Sequence, residues 1–539
     1  MSLLRSSVVM ASGTVLSRVT GLVRDIAMTA ALGFYIASDA YSLGNTLPNI
    51  ISILVAGGAL NAVFIPQLVR HIKDDADGGH AYADRLLTVV TAWLIAVTVL
   101  AMVFAPQIVG LYATADYTPA NIELATAFAR LCLPQIVFYG LFTMWSQVLN
   151  ARQHFALPMF APILNNIVAI ATFGYFMAIT TDAQVANATL TSTQITVLGL
   201  GTTLGVAAQT FALLPVLRRV GYHYRPRFDL RGNGLGKAGT LALWTMGLVL
   251  VNQLSYVVVT RLATHANVLA AEAGVTAAGL TTYQKAHLVF MLPHSVITVS
   301  VVTALLPQLS RIAHEGRLGD VGAGIARAAR TIGALVVPIA AALFVLAPDL
   351  ARVLFGFGAA TADSALATGR VVQVLVLGLL PFTLVYVLFR GWYALEDTRS
   401  PFVVTLLINA VNLGLSLALF AAAPVTGKVL ALGGAYAVAY WVAVVAAWVA
   451  LSRRLGGLET GATVRALGRI TLAALGAALA GALLLHSLGE VVGTAGRGML
   501  LAVLTLAGMV MAGVYVGLGH LFGIDEVRSA LALLRRRGR

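Results

Sequence analysis

The sequence predicts an all-α polytopic membrane protein with about fourteen transmembrane helices, arranged as two parallel six-helix lobes and two further C-terminal helices. Three observations predict it. The 539 residues are 59% hydrophobic and only 10% charged, with a mean hydropathy of +0.89, more apolar than a soluble domain. Charge-poor runs recur along the chain, and most reach the ~20 residues a helix needs to cross a hydrocarbon core of ~30 Å. The cations collect on alternate connections between those runs. Backbone groups in lipid must be satisfied within the segment, which selects helices; the ~10-residue apolar–polar alternation of barrel strands is missing.

In chain order, span one (roughly 7–34) carries Arg18, Arg24 and Asp25 and is too long for the apolar core of a signal peptide, so it reads as a permanent helix. Span two (38–68) opens on Asp39 and holds Pro48, Asn49 and Asn61. Span three (86–114) has no charge, and span four (121–150) contains Arg130 and the single cysteine, Cys132, which excludes an intramolecular disulfide. Span five (157–180) carries Pro158, Pro162, Asn165 and Asn166; span six (192–217) is rich in Thr and Gly. Span seven (239–263) has Asn252, Gln253 and Arg261, and span eight (278–309) has Lys285, His287 and Pro293. Span nine (331–348) is charge-free, span ten (370–395) contains Pro381 and Arg390, and span eleven (402–422) holds Asn409 and Asn412. Span twelve (429–452) is charge-free, and spans thirteen (470–487) and fourteen (498–522) are rich in Gly and Ala, residues that permit close helix packing or a lipid-facing groove.

Of the 35 Lys and Arg residues, 25 lie on the termini and even-numbered connections, four on the odd-numbered connections, and six inside spans. The positive-inside rule then places both termini in the cytoplasm and supports an even number of spans. The net charge of +14 is topology and attraction to lipid headgroups, and no nucleic-acid partner is expected.

A weak internal repeat sets the lobes. Pro-Gln-Leu-Val-Arg at 66–70 recurs as Pro-Gln-Leu-Ser-Arg at 307–311, Pro158 pairs with Pro401, and Ser17-Arg18 with Thr260-Arg261, at offsets of 241 or 243. The offset covers six spans, an even number, so the lobes (1–217 and 239–453) are parallel, a transporter plan with cargo between them. The basic stretch 218–238 links them, and 454–539 holds the last two spans and a basic tail.

Arg18, Arg24, Arg130, Arg261, Lys285 and Arg390 lie inside the spans, where a cation at the bilayer centre costs about 2.5–3.5 kcal/mol. The simplest reason to keep several is an anionic cargo. Arg18 and Asp25 are seven residues apart and share a helix face, with Arg24 pointing elsewhere. The alternative for span one is an internal ion-pair set that locks helices together. For Lys285, Arg261 and Arg130 it is snorkelling to the outer interface, and for Arg390 an interfacial position. The amides serve mostly as interhelical hydrogen-bonding groups, and the prolines bend helices around a cavity. Asp and Glu number 21 and sit mostly in loops; no His-Glu-x-x-His, phosphate-binding Gly-rich loop or cysteine cluster occurs, so an enzyme and a metal site are not expected.

The blocks SRVTGLVRD (17–25), SDAYSLGNTLPN (38–49), GGALNAVFIPQL (57–68), FALPMFAPILNN (155–166), the 292–311 segment and YALEDTRSP (393–401) together resemble the MurJ (MviN) family, lipid II flippases of the multidrug/oligosaccharidyl-lipid/polysaccharide exporter superfamily. The resemblance runs through nearly the whole chain. It implies a monomeric two-lobe transporter of the bacterial cytoplasmic membrane that moves lipid II, the undecaprenyl-pyrophosphate-linked peptidoglycan precursor, from the inner to the outer leaflet by alternating access. By motif, Arg18 and Arg24 would bind the anionic headgroup, with Arg261 and Lys285 adding charge. Asp25 would position Arg24, Asp39 would serve an outer gate, and Ser17, Asn49 and Asn166 would line the cavity. Spans thirteen and fourteen would hold the lipid tail. Membrane lipids and cell-wall synthesis and division proteins are the further partners it suggests.

The chain departs from the family pattern in three places. Ser52 and Gly57 stand where many members carry an arginine and a glutamate, and Leu288 aligns with a span-eight arginine whose charge Lys285, one turn earlier, would supply. The sodium site of some members uses acidic residues in spans seven and eleven, where this chain offers only Asn252, Gln253, Asn409 and Asn412. That argues against sodium coupling and leaves the membrane potential, or another monovalent ion, as the driver; no cofactor is implied. The rival readings are an exporter of another lipid-linked oligosaccharide and a non-transporting scaffold for cell-wall assembly.

Overall fold

Over its described residues each predicted span falls on a helix or a pair of consecutive helices, because the charge-poor runs leave the backbone no other way to satisfy its polar groups in lipid. The computed structural model describes residues 3–57, 79–114, 116–152, 154–227, 239–275, 278–489 and 496–528. The repeat motif at 66–70, Asn61, residues 228–238 of the basic connection and the tail from 529 lie outside them.

The helices are α1 (Leu3–Leu32), α2 (Ile36–Ser52), α3 (His80–Val103), α4 (Ala105–Tyr112), α5 (Pro119–Cys132), α6 (Gln135–Ala151), α7 (Ala156–Ala178), α8 (Asp182–Ala186), α9 (Ser192–Phe211) and α10 (Leu214–Arg219). They continue with α11 (Gly239–Glu272), α12 (Leu280–Pro293), α13 (Val299–His314), α14 (Leu318–Phe355), α15 (Ala362–Val376), α16 (Leu379–Ala394), α17 (Arg399–Ala422), α18 (Lys428–Leu455), α19 (Thr460–Ser487) and α20 (Arg497–Leu521). Among the described residues ten helices, or eleven counting the bent pair α15–α16, are long and apolar enough to cross a membrane. The chain is an all-helical integral membrane protein.

The three predicted spans outside that count are the first, second and eighth; polarity explains the first, a break the eighth, and of the second only residues 38–57 are described. Arg18, Arg24 and Asp25 fall within one stretch of α1, and α2 runs into a π-helical turn at Ile53–Gly57. In span eight a second π turn, His294–Thr298, follows Pro293 and separates α12 from α13. Removing a backbone donor loosens the helical ladder at such positions. Span nine is longer than its apolar run: α14 has 38 residues, ~57 Å at 1.5 Å per residue, so its ends project beyond a ~30 Å core.

Two compact units divide the chain. The first comprises residues 1–269, 279–281 and 357–360; the second comprises 270–278, 282–356 and 361–539. In the first, α7 is flanked by α1 and α9, and α2 packs on α5. The opening of the basic connection is pinned here: Arg152 Nη1 donates to the Val220 carbonyl (2.7 Å), the Tyr222 hydroxyl to Asp84 (2.8 Å), and the Arg227 amide to Thr88 (3.0 Å).

In the second unit α14 packs on α15 and α19, α17 on α18, and α19 on α20. Ala473, Ala474 and Ala477 of α19 bring it against Ala334 and Val337 of α14 and Met511 of α20, and the Tyr515 hydroxyl donates to the Ala334 carbonyl at 2.7 Å. The opposite side of α19 presents Leu472, Leu475, Leu479 and Leu483, each roughly 60% exposed. The last two helices therefore pack through small residues on one side and expose an apolar face on the other.

Candidate functional site

Arg24 is the best-held intramembrane cation of the first unit. Its Nη2 donates to Asp25 Oδ2 at 2.9 Å and its Nη1 to Asn166 Oδ1 at 3.3 Å. Asn166 is buried on α7, and its Nδ2 donates to Thr20 Oγ1 (2.9 Å) and to the Ser17 carbonyl (3.2 Å). One amide thus reads a turn of α1 and orients the guanidinium one turn further along. α1 and α7 approach closely enough for this partly because Gly13 faces Phe160 and Met159, where a Cβ would press against both. The two bonds employ two of five guanidinium donors, and 37% of the Arg24 side chain stays exposed against 13% for Asp25.

The seven-residue spacing placed Asp25 with Arg18, but Asp25 bonds to Arg24. Seven residues rise ~10.5 Å along a helix, whereas a long arginine side chain bends across the arc to its neighbour. Arg18 is exposed and makes no hydrogen bond or ion pair among the described residues. Ser17 contributes its carbonyl rather than its hydroxyl, and Asn49 is exposed on α2. Arg261 is exposed on α11, two turns from Asn267. Lys285 belongs to the second unit, where it is engaged and only 3% exposed, so it is buried and does not snorkel outward. Arg390, also there, lies over Tyr386 (4.4 Å) and Tyr393 (5.6 Å) in a cation–π cage.

Asp39 forms a second centre in the first unit. It is fully buried in the first turn of α2. Its Oδ2 accepts from Asn267 Nδ2 (2.7 Å) and the Leu280 amide (3.0 Å), and its Oδ1 accepts from the Thr281 amide (2.7 Å). The amides at 280 and 281 belong to the first turn of α12, where backbone N–H groups lack helical partners and favour an anion. A Cβ on Gly279 would overlap the Asp39 carboxylate, so this position requires glycine. Ser38 and Ser42 flank Thr281 Oγ1 at 3.0 and 3.2 Å. Beside them residues 357–360 cross the end of α1, the Ala359 amide donating to the Ala30 carbonyl at 2.8 Å. The turn after α1 is made by Gly33 at φ +58°, with no room for a side chain below the Ala359 carbonyl.

Thr20, Asn267 and Thr281 were not singled out in the sequence. Asn267 carried the same signal as the other amides, a polar side chain in an apolar helix, and Gly-Leu-Thr-Thr at 279–282 marks a helix start. Among the described residues no group of His, Cys, Asp and Glu could hold a metal ion. Asn409 donates to the Thr405 carbonyl (2.8 Å) and Asn412 accepts from Ser416 (3.5 Å), both within α17.

Comparison with known proteins gives one consistent result. The family model described as lipid II flippase MurJ matches residues 28–496. The probable lipid II flippase MurJ of Rhizobium tropici is 29% identical over 457 residues, covering 84% of this chain and 82% of the relative. That of Rhizobium meliloti (strain 1021) is 28% identical over 445 residues (82% and 79%), and the lipid II flippase MurJ of Burkholderia cenocepacia is 29% identical over 408 (74% and 75%). Among solved structures, an inward closed conformation of lipid II flippase MurJ aligns with a TM-score of 0.72 at 19% identity, covering 96% of this chain and 99% of that one. An inward-facing multidrug resistance MATE transporter of the MOP superfamily aligns at 0.64 with 14% identity, covering 84% and 99%. At those identities the structural likeness speaks for the fold alone.

Proposed function

This chain belongs to the lipid II flippase MurJ family, a family of transporters, and from that premise we propose that it moves lipid II from the inner to the outer leaflet of the bacterial cytoplasmic membrane. The reading has alternating access between two lobes, 1–217 and 239–453, with both termini in the cytoplasm. Arg24 is the principal ligand of the pyrophosphate. A guanidinium in a low-dielectric cavity forms strong, bidentate bonds to phosphate oxygens, and Asp25 and Asn166 hold it so that little rotamer freedom is lost on binding. Arg18 and Arg261 add exposed positive charge on the first unit; Lys285 is the corresponding cation of the second. Asp39, with Asn267, Leu280 and Thr281, forms the outer gate, which opens when those three bonds break together. The leucine face of α19 carries the isoprenoid tail, which stays in lipid while the head crosses.

The observation that carries this reading is an arginine fixed on two sides yet more than one-third exposed, a geometry suited to a ligand beyond its structural partners. The test is complementation of a MurJ-depleted bacterium. Growth with the wild type, none with membrane-inserted Arg24→Ala, and weak growth with Arg24→Lys, which keeps charge but loses the fork, is the expected pattern. Growth with Arg24→Ala would remove Arg24 from the mechanism. No growth with a well-inserted wild type would favour an exporter of another lipid-linked glycan or a scaffold.

A further inference from the structure

In the second unit, where α19 starts and α20 ends, lies a recess of about 340 Å³ that the transport reading does not use. Arg465 and Arg469 line one side, four residues apart on one face of α19. Asp525 and Glu526, just past α20, line another. Among the described residues the side chains of these four make no hydrogen bond or ion pair, although opposite charges share the same small space. A third arginine, Arg330, is already occupied by Glu459 (2.8 Å) and Thr463 (3.4 Å) and forms a neutral wall. Glu459 holds a left-handed conformation (φ +45°) that side-chain-bearing residues disfavour.

We propose that this recess binds the headgroup of a zwitterionic, primary-amine phospholipid, with the phosphate on Arg465 and Arg469 and the ammonium on Asp525 and Glu526. The charge layout selects the ligand. Two adjacent cations call for a phosphate, while two carboxylates across the recess repel a purely anionic headgroup and call for a cation in the same molecule. A primary ammonium donates hydrogen bonds to carboxylates; a quaternary one cannot. The volume lies at the small end for ligand pockets, as a headgroup whose chains remain outside requires.

The test is native mass spectrometry of the full-length protein with equimolar phosphatidylethanolamine, phosphatidylglycerol and phosphatidylcholine of matched chains. The wild type should retain the ethanolamine lipid over the choline lipid by roughly tenfold, the worth of one hydrogen bond to a charged group. Arg465→Ala with Arg469→Ala should abolish the preference. Asp525→Asn with Glu526→Gln should reverse it toward the glycerol lipid, a swap that misfolding cannot produce. Equal retention of all three lipids by the wild type, a wild-type preference for the glycerol lipid, or unchanged selectivity in the carboxylate variant would each overturn the proposal.

Discussion

At the scale of single residues, one polar side chain can hold another still across two helices. Asn166 is the example: its one amide accepts from Arg24 and donates to Thr20 and Ser17. Asn166→Ala leaves Arg24 tethered only to Asp25, so complementation should weaken without being abolished, and Asn166→Asp, which keeps the acceptor for Arg24, should restore more activity than Ala. Asp397 plays a simpler role between α16 and α17. Partial burial pushes its carboxyl upward, but the Ser400 hydroxyl (2.6 Å) and amide (3.0 Å) and the Arg454 charge outweigh that and hold it below the ordinary carboxylate range. A depressed folded-state value contributes stability above the unfolded value near 4 and loses it as pH falls through the folded one. Asp397→Ala should cost about 1 kcal/mol at neutral pH, as loss of a helix cap does, and the gap in melting temperature should narrow below pH ~4.

At the scale of helices, the start of α12 is organised by a residue far away in sequence. The Leu280 and Thr281 amides would otherwise be bare helix-start donors, and Asp39 satisfies both. Asp39→Ala leaves both amides without that acceptor and leaves Asn267 with only the longer bond to the Phe34 carbonyl (3.5 Å), each lost buried partner costing about 1–3 kcal/mol. Amide hydrogen exchange at residues 280 and 281 should quicken at least tenfold, while the middle of α14 serves as an unchanged reference; unaltered exchange would mean the carboxylate does not hold this turn. The helices themselves were legible in the sequence, since apolar length and loss of charge are local properties and lipid admits no other fold for them. The bonds between them were not. Asp39, Asn267 and Thr281 are joined across more than two hundred residues, and no spacing rule reports which amide meets which carboxylate. Arg24 was visible as a cation inside an apolar span, yet its choice of Asp25 over the face-sharing alternative depended on how a flexible side chain bends. The breaks were half visible: Pro293 announced a disturbance, but the π turn that follows is a property of packing.

At the scale of the whole molecule, the question is what drives the cargo outward. Among the described residues α17 has no carboxylate, so a sodium ion bound there, which wants several oxygen ligands and a compensating charge, would lack the charge. The cargo proposed here carries its own handle. A pyrophosphate leaving a cytoplasm that is negative inside moves down the electrical gradient, worth about 2.3 kcal/mol per charge at 100 mV. Two or more charges then supply a bias of a hundredfold or more with no ion carried. In this proposal the cations that bind the cargo, Arg24 and Lys285, stay behind on their helices. Proteoliposomes containing the purified chain and a fluorescent lipid II should therefore translocate it when a potassium diffusion potential of the right sign is imposed. They should slow at least tenfold when valinomycin and equal potassium collapse it, and be indifferent to replacing sodium by choline. Transport that follows sodium and ignores the potential would place an ion site in this chain that its amides alone do not provide.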